Sequence, residues 1–336
     1  FGEGVFVGLA GILVCSFLGG MRAVTWTQVA QYIILILAYM IPVIWLSAKH
    51  TGNPLPQVAY GAVLDKVSAR EEALLNDPKE IEVRKIFADR ADTAERMLAG
   101  FPRSFEEGKA QAQRALDQAK GRRAPPEQIA AAQKAVDTYP KDANAAKLAW
   151  SKDLALRSRT APPQRHAEAF PAESDAAKSA SRRNFLALVF CLMMGTAALP
   201  HILTRYYTTP SVKEARESVV WSIFFITLLY ITAPALAVLV KFDIYSMLVG
   251  SEFSKLPAWV NSWARVDPTL LSITDVNRDG IVQLAEILIG SDIVVLATPE
   301  IAGLPYVISG LVAAGGLAAA LSTADGLLLT IANALS

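Results

Sequence analysis

The sequence predicts an all-α membrane protein, and three observations carry that expectation. Hydrophobic residues make up 53% of the 336-residue chain and the mean hydropathy is +0.33, although Lys+Arg (32) and Asp+Glu (31) are both well supplied. The apolar residues are concentrated in five stretches long enough, or nearly so, to cross a bilayer, for which a helix needs roughly 20 residues. The polar residues are gathered into two long segments between those stretches. The near-zero net charge of +1 argues against a nucleic-acid partner. The two cysteines, Cys15 and Cys191, lie inside apolar stretches and read as free buried thiols rather than a disulfide framework.

Taken in order, residues 1–49 hold two expected transmembrane helices, Val5–Leu18 and Val24–Ser47, joined by a short connection at Gly19–Ala23. The chain starts at Phe1 without a charged n-region or cleavage pattern, so it does not read as a signal peptide. It reads as a piece of a larger membrane protein. Residues 50–183 form a charged helical insertion rich in Ala, Glu, Lys, Arg and Gln. Ser104–Lys120 and Pro126–Thr138 have helical spacing, with breaks at Gly100–Pro102, Arg123–Pro126 and Tyr139–Pro140. Thr160–Ala180, with Pro162-Pro163, reads as a linker, and His166 as a surface residue. This insertion is a solvated appendage or a docking surface for a protein partner. Residues 184–241 supply two further spans, Asn184–Thr204 and Val219–Val240, with a polar connection between them. Residues 242–302 form a second polar loop, and 303–336 a last span.

Two motifs carry chemistry. Within the last span, Ala318-Ala319-Ala320-Leu321-Ser322-Thr323-Ala324-Asp325-Gly326 places hydroxyls and a carboxylate in apolar sequence, where polar groups are costly and usually functional. On a helix the Ala319 carbonyl lies beneath Ser322 and Thr323, so three neutral oxygens share a face and form part of a shell for a hard cation such as sodium. The other reading is helix packing through small residues, with the hydroxyls bonded back to the preceding turn. Asp325 points off that face; it could neutralise a basic partner or take part in proton coupling, and the first expectation is that it reaches cytoplasmic water at the helix end. In the second loop, Asp275-Val-Asn277-Arg-Asp279-Gly280-Ile281-Val282-Gln283-Leu-Ala-Glu286 has the spacing of an EF-hand calcium loop. Asp275, Asn277 and Asp279 supply side-chain oxygens, Ile281 a backbone carbonyl, and Glu286 a bidentate carboxylate. Gly280 permits the turn and Val282 is the apolar anchor. The alternative is a chance Asx-rich turn. With no obvious partner loop, binding would be weak and structural.

The topology follows from charge. With Gly19–Ala23 cytoplasmic, so is 205–217, and these short connections hold Arg22, Arg205, Lys213 and Arg216, as the positive-inside rule requires. The insertion and the calcium-type loop then both face outward, where calcium is abundant.

Gly19-Gly20-Met21-Arg22-Ala23-Val24-Thr25-Trp26-Thr27-Gln28-Val29-Ala30-Gln31 resembles the loop and helix start typical of the sodium/solute symporter family. Gly195-Thr196-Ala197-Ala198-Leu199-Pro200-His201-Ile202-Leu203-Thr204-Arg205-Tyr206-Tyr207, followed by Lys213–Ser218, is similar to its cation/acetate permease branch. The Ala319, Ser322 and Thr323 pattern resembles the family's sodium site. The resemblance covers all five spans but neither polar segment. It implies an inverted-repeat, five-plus-five helix fold of a sodium-coupled transporter, of which this chain supplies about core helices 4 to 8, in a multi-pass protein of the bacterial inner membrane. It further implies symport of a small organic solute, a monocarboxylate such as acetate, by alternating access. Sodium would be ligated by Ala319, Ser322 and Thr323 together with backbone oxygens of a core helix outside this stretch. Substrate would be lined by Gly195, Thr196 and Ala197 at a helix break before Pro200, for which a proline-kinked span with no ligand is the plainer reading. His201 and Arg205 would be gate or interface residues. Gln28 stands where many family members have an aspartate, which weakens any second sodium site. Two rival classes are a symporter-like solute sensor in a signalling protein and an adhesion or assembly protein anchored by its helices. An enzyme is not expected, since no nucleophile–base pair or phosphate-binding loop is present.

Overall fold

The computed structural model describes residues 2–172, 174–200, 202–203 and 209–335; of the helical residues 2–21, 329 and 332–335 only the backbone is described. Among the described residues the regular structure is helical apart from one small hairpin and an isolated bridge. Helix α1 (Gly2–Thr51) is followed by five helices of the insertion: α2 (Pro56–Leu75), α3 (Pro78–Ala99), α4 (Arg103–Gly121), α5 (Pro126–Thr138) and α6 (Ala143–Ala155). Then come α7 (Asp175–Ala197), α8 (Val212–Met247), α9 (Ala258–Val266), α10 (Ser291–Ile301) and α11 (Tyr306–Leu335). The hairpin is β1 (Leu271–Ile273) paired antiparallel with β2 (Ile287–Ile289), in the register Leu271↔Ile289.

Three helical segments among the described residues are long and apolar enough to cross a membrane: Arg22–Thr51 of α1, Val212–Met247, and Tyr306–Leu328 of α11. The expected connection at Gly19–Ala23 is not a loop here: α1 runs unbroken through it for 50 residues. Nothing in Gly19-Gly20-Met21-Arg22-Ala23 removes a backbone donor, and glycine costs a helix only about 1 kcal/mol, so the ladder continues. Such a helix is about 75 Å long, against a hydrocarbon core of about 30 Å.

Punctuation by proline and glycine sets the insertion's helices. Pro56, Pro78 and Pro126 stand at helix starts, where a missing N–H costs nothing. Asp77 and Asp142 cap α3 and α6 by accepting from Lys79 N and Ala145 N. The helices expected at 104–120 and 126–138 occupy Arg103–Gly121 and Pro126–Thr138. Phe105, Ala94, Ala146 and Trp150 form a small separate core in the insertion.

The main core lies where the insertion's base meets the membrane helices. Val43 and Leu46 of α1, Val63, Val67 and Leu74 of α2, Leu239 and Ile244 of α8 with Leu248 just after it, and Ile293 and Ala297 of α10 are all buried there. Polar anchors surround it. At the end of α1, Lys49 and His50 reach Asp243 of α8 at 3.4 and 2.8 Å. Glu71 of α2, fully buried, is paired with Lys241 of α8 and accepts from the backbone N–H of His166 at 3.0 Å. His166 itself is exposed, as expected of a surface residue; partial desolvation, then the nearby Lys241 charge, lower its pKa. Removing one partner of a buried ion pair costs about 3–5 kcal/mol. Because Lys241 is a quarter exposed, Glu71→Ala should fall at the lower end, about 3 kcal/mol. Thermal unfolding of the purified variant checks this, and an unchanged midpoint would show that Glu71 is not an anchor.

Candidate functional site

Helix α11 lies against the outer half of α1, and their close approach is set by Gly315. A Cβ built there would come 2.6 Å from the Ala38 Cβ and 3.7 Å from the Leu35 Cα, so only hydrogen fits. Val312, Gly315, Ala318, Ser322 and Asp325 recur at helical spacing along this side of α11. Val312 and Ala318 are buried, and Asp325 is 2% exposed.

Ala319 and Thr323 lie round the helix from that stripe and are exposed. The Thr323 hydroxyl donates to the Ala319 carbonyl at 3.4 Å, so two oxygens of the expected ion face are adjacent. Ser322 sits between the two sides and is partly buried; its backbone carbonyl accepts from the Gln28 side-chain amide of α1 at 2.9 Å. A carboxylate at position 28 could not donate to that carbonyl, whereas glutamine can. The neutral residue therefore ties α1 to the ion-face turn.

Asp325 does not reach water. It packs toward α1 beside Gln31, with which it is hydrogen-bonded, and its Oδ1 is buried without a partner among the described residues, as is Gln31 Oε1. Asp325 lies seven residues, close to two full turns, beyond the buried Ala318 and so on the same side, and what looked like a helix-end charge is an interior one.

The helix break stands where it was expected. Helix α7 ends at Ala197, Ala198 N closes on Met194 O and Gly195 O, and Leu199 N closes on Thr196 O. Leu199 precedes Pro200, which biases it away from helical backbone. Gly195, Thr196 and Ala197 are exposed, as is every side chain from Arg182 to Pro200, and nothing lies within 4 Å of a Cβ at Gly195. The structure does not bring these three residues to Ala319, Ser322 and Thr323. His201 and Arg205 lie outside the described residues, as does the side chain of Cys15; Cys191 is a free thiol, exposed rather than buried. The apolar surface of α7, including Phe185, Leu186, Phe190, Leu192 and Met193, suits contact with lipid or another protein surface.

The second motif forms the end of the β1–β2 hairpin. Asp275 Oδ2 accepts from Gly280 N at 3.1 Å, Asn277 Oδ1 from Asp279 N at 3.2 Å, and Asp279 Oδ1 from Ile281 N at 2.9 Å. Arg278 and Gly280 adopt φ of +62° and +76°, the latter at the turn that glycine was expected to permit. Glu286, fully buried, accepts from Val276 N at 2.6 Å and Gln283 N at 3.1 Å. Burial raises its pKa against those two bonds, and the charges of Asp275 and Asp279 raise it further. No three His, Cys, Asp or Glu side chains among the described residues converge as a ready-made metal cluster. The loop does have a pairing segment that its sequence did not reveal: Gly250 N donates to Val282 O at 2.8 Å, Val282 N to Ser251 O at 2.9 Å, and Phe253 N to Gly280 O at 3.0 Å.

The whole chain is similar to an uncharacterized symporter of Cupriavidus necator, at 53% identity over 339 aligned residues that cover 100% of this chain and 49% of that protein. A shorter stretch of 48 residues, 14% of this chain and 9% of the relative, is 50% identical to a monocarboxylic acid transporter of Corynebacterium glutamicum. No protein-family model and no solved structure matches. The chain thus spans about half the length of the Cupriavidus relative, and it is similar to that symporter over its own entire length, which includes its three membrane-capable helices.

Proposed function

We propose that the whole protein is a sodium-coupled symporter of a small monocarboxylate, embedded in the bacterial inner membrane and working by alternating access. The observation that carries this reading is the 53% identity to a symporter across the full chain. The transporter similarity over 48 residues favours a monocarboxylate as the solute. The adjacent Ala319 carbonyl and Thr323 hydroxyl, on an open face of a membrane-capable helix, suit a hard cation. Sodium held by Ala319, Ser322 and Thr323 stabilises the arrangement that accepts substrate. The coupling equals the difference in the ion's affinity for the two states, about 1.4 kcal/mol for each factor of ten. Gly195, Thr196 and Ala197, at the interrupted end of α7, line the substrate path in an inverted-repeat fold, where freed backbone groups contact ligand.

The test is uptake of labelled acetate, pyruvate and proline into vesicles holding the whole protein, with and without an inward sodium gradient. Sodium-stimulated uptake of acetate or pyruvate is the expected result. Proline uptake alone would overturn the substrate class. Absence of any sodium stimulation would overturn the coupling and favour proton-driven transport or solute sensing.

A further inference from the structure

We propose that residues 275–286 bind one calcium ion, and that the ion locks the insertion onto the membrane helices. The donor set is all oxygen: Asp275, Asn277, Asp279, the Ile281 carbonyl and Glu286. Two buried acceptors in the loop stand unused. Gln283 is 4% exposed and its Nε2 holds Asp279 Oδ2 at 3.0 Å, but its Oε1 has no partner; Asp275 Oδ1 is likewise buried and unpaired. A buried acceptor without a donor costs about 1–3 kcal/mol, and a cation at the loop centre would satisfy both. Glu286 is not spent by its two backbone donors, because a carboxylate offers about four lone-pair sites and two remain. Two cations stand nearby: Lys79, 3.7 Å from Asp279 and shared with Glu82, and Arg159, which donates to the Glu286 backbone carbonyl and leaves its carboxylate to the ion. Hard oxygens from side chains and backbone, in an irregular loop, suit calcium; magnesium demands near-octahedral geometry and gives up its water reluctantly.

The loop is also a second place, besides α2 and the Glu71–Lys241 pair, where the insertion grips the rest of the molecule. Glu80 of α3, 1% exposed, accepts from the backbone N–H groups of Leu284 and Ala285, the latter at 3.2 Å. Arg159, just after α6, donates to the Glu286 carbonyl and to Ser272 Oγ, each at 3.4 Å. The residues these two side chains hold, 284–286, directly precede β2 and include the loop's last donor. An ion that draws Glu286 and Asp275 together therefore stiffens the turn on which Glu80 and Arg159 close. Calcium occupancy and insertion docking are then linked, each strengthening the other.

The experiment uses the whole protein in detergent with calcium chloride alone as the probe, followed by equilibrium dialysis and by hydrogen exchange. One calcium per chain should bind with a Kd of about 10⁻⁴–10⁻³ M. Calcium should slow exchange at the Leu284 and Ala285 amides by about tenfold, while magnesium at the same concentration should not. Asp275→Asn and Asp279→Asn, which keep the side-chain volume and an acceptor oxygen, should each weaken binding by about tenfold or more. Glu80→Gln should, at saturating calcium, show a smaller calcium-dependent slowing and, by the same linkage, somewhat weaker calcium binding. No binding at about 10 mM calcium, or binding unaffected by both Asp→Asn changes, would overturn the site. Normal slowing in Glu80→Gln would overturn the clamp. Neither readout depends on transport, so failure here is distinguishable from failure of the symport reading.

Discussion

Replacing Thr323 with alanine should raise the sodium concentration for half-maximal uptake by about tenfold or more, a loss of about 1.4 kcal/mol or more of ion binding. The expectation rests on where the hydroxyl sits. Its hydrogen bond among the described residues is a long 3.4 Å one to the Ala319 carbonyl of its own helix, and the residue is exposed. Hydroxyls bonded back to the preceding turn contribute little to a helix. Deleting this one therefore removes the proposed ion ligand without loosening the bundle. Thr323→Ser keeps the oxygen and should retain near-normal sodium dependence. Ser322→Ala should shift it in the same direction as Thr323→Ala, while leaving the Gln28 contact intact because that contact uses the Ser322 backbone. Initial rates of solute uptake against sodium concentration, in vesicles holding the whole protein, measure all three. Should Thr323→Ala leave the half-saturating sodium concentration unchanged, the residue is a packing element and the ion lies elsewhere.

How much of this was legible in the sequence depends on how far apart the interacting residues are. The insertion helices at Arg103–Gly121 and Pro126–Thr138 were readable almost to the residue, because proline and glycine mark helix ends locally. The break after Ala197 was readable for the same reason. The Asx turns of residues 275–281 were implied by the spacing of Asp, Asn and Gly alone. What escaped were contacts between distant segments. Glu71 and Lys241 are 170 residues apart, and Glu80 and Leu284 are 204 apart. Both carboxylates lie among Lys and Arg in sequence that reads as a solvated helix surface, yet both are buried. Asp325 was misplaced because helical periodicity gives its angle but not which side meets α1. The pairing segment at Gly250–Phe253 was invisible because its pairing uses backbone groups, which every residue carries. The continuity of α1 shows the converse error: a glycine pair was read as a stop where no donor had been lost.

Gly315→Leu should be among the most damaging single changes in the membrane-capable helices, costing about 3 kcal/mol of stability and most of the transport activity. The first added carbon would already lie 2.6 Å from Ala38 Cβ, closer than nonbonded carbons approach, and the remaining atoms of leucine have nowhere to go but into α1. The helices must separate, and separation pulls the Ser322 carbonyl from Gln28 and opens the buried side of Asp325. Gly310 provides the control on the same helix, since a Cβ there meets nothing within 4 Å. Gly310→Ala should be neutral or gain about 0.5–1 kcal/mol from reduced backbone freedom. Gly315→Ala should cost about 1–2 kcal/mol, and adding Ala38→Gly, which removes the opposing Cβ, should recover part of that loss despite the poorer helix propensity of glycine. A double-mutant cycle on thermal unfolding in detergent gives the coupling, expected at about 1 kcal/mol in favour of the double variant. Strict additivity of the two changes would mean that Gly315 and Ala38 do not meet, and with that the seating of α11 on α1, and the position of the ion face relative to Gln28, would have to be redrawn.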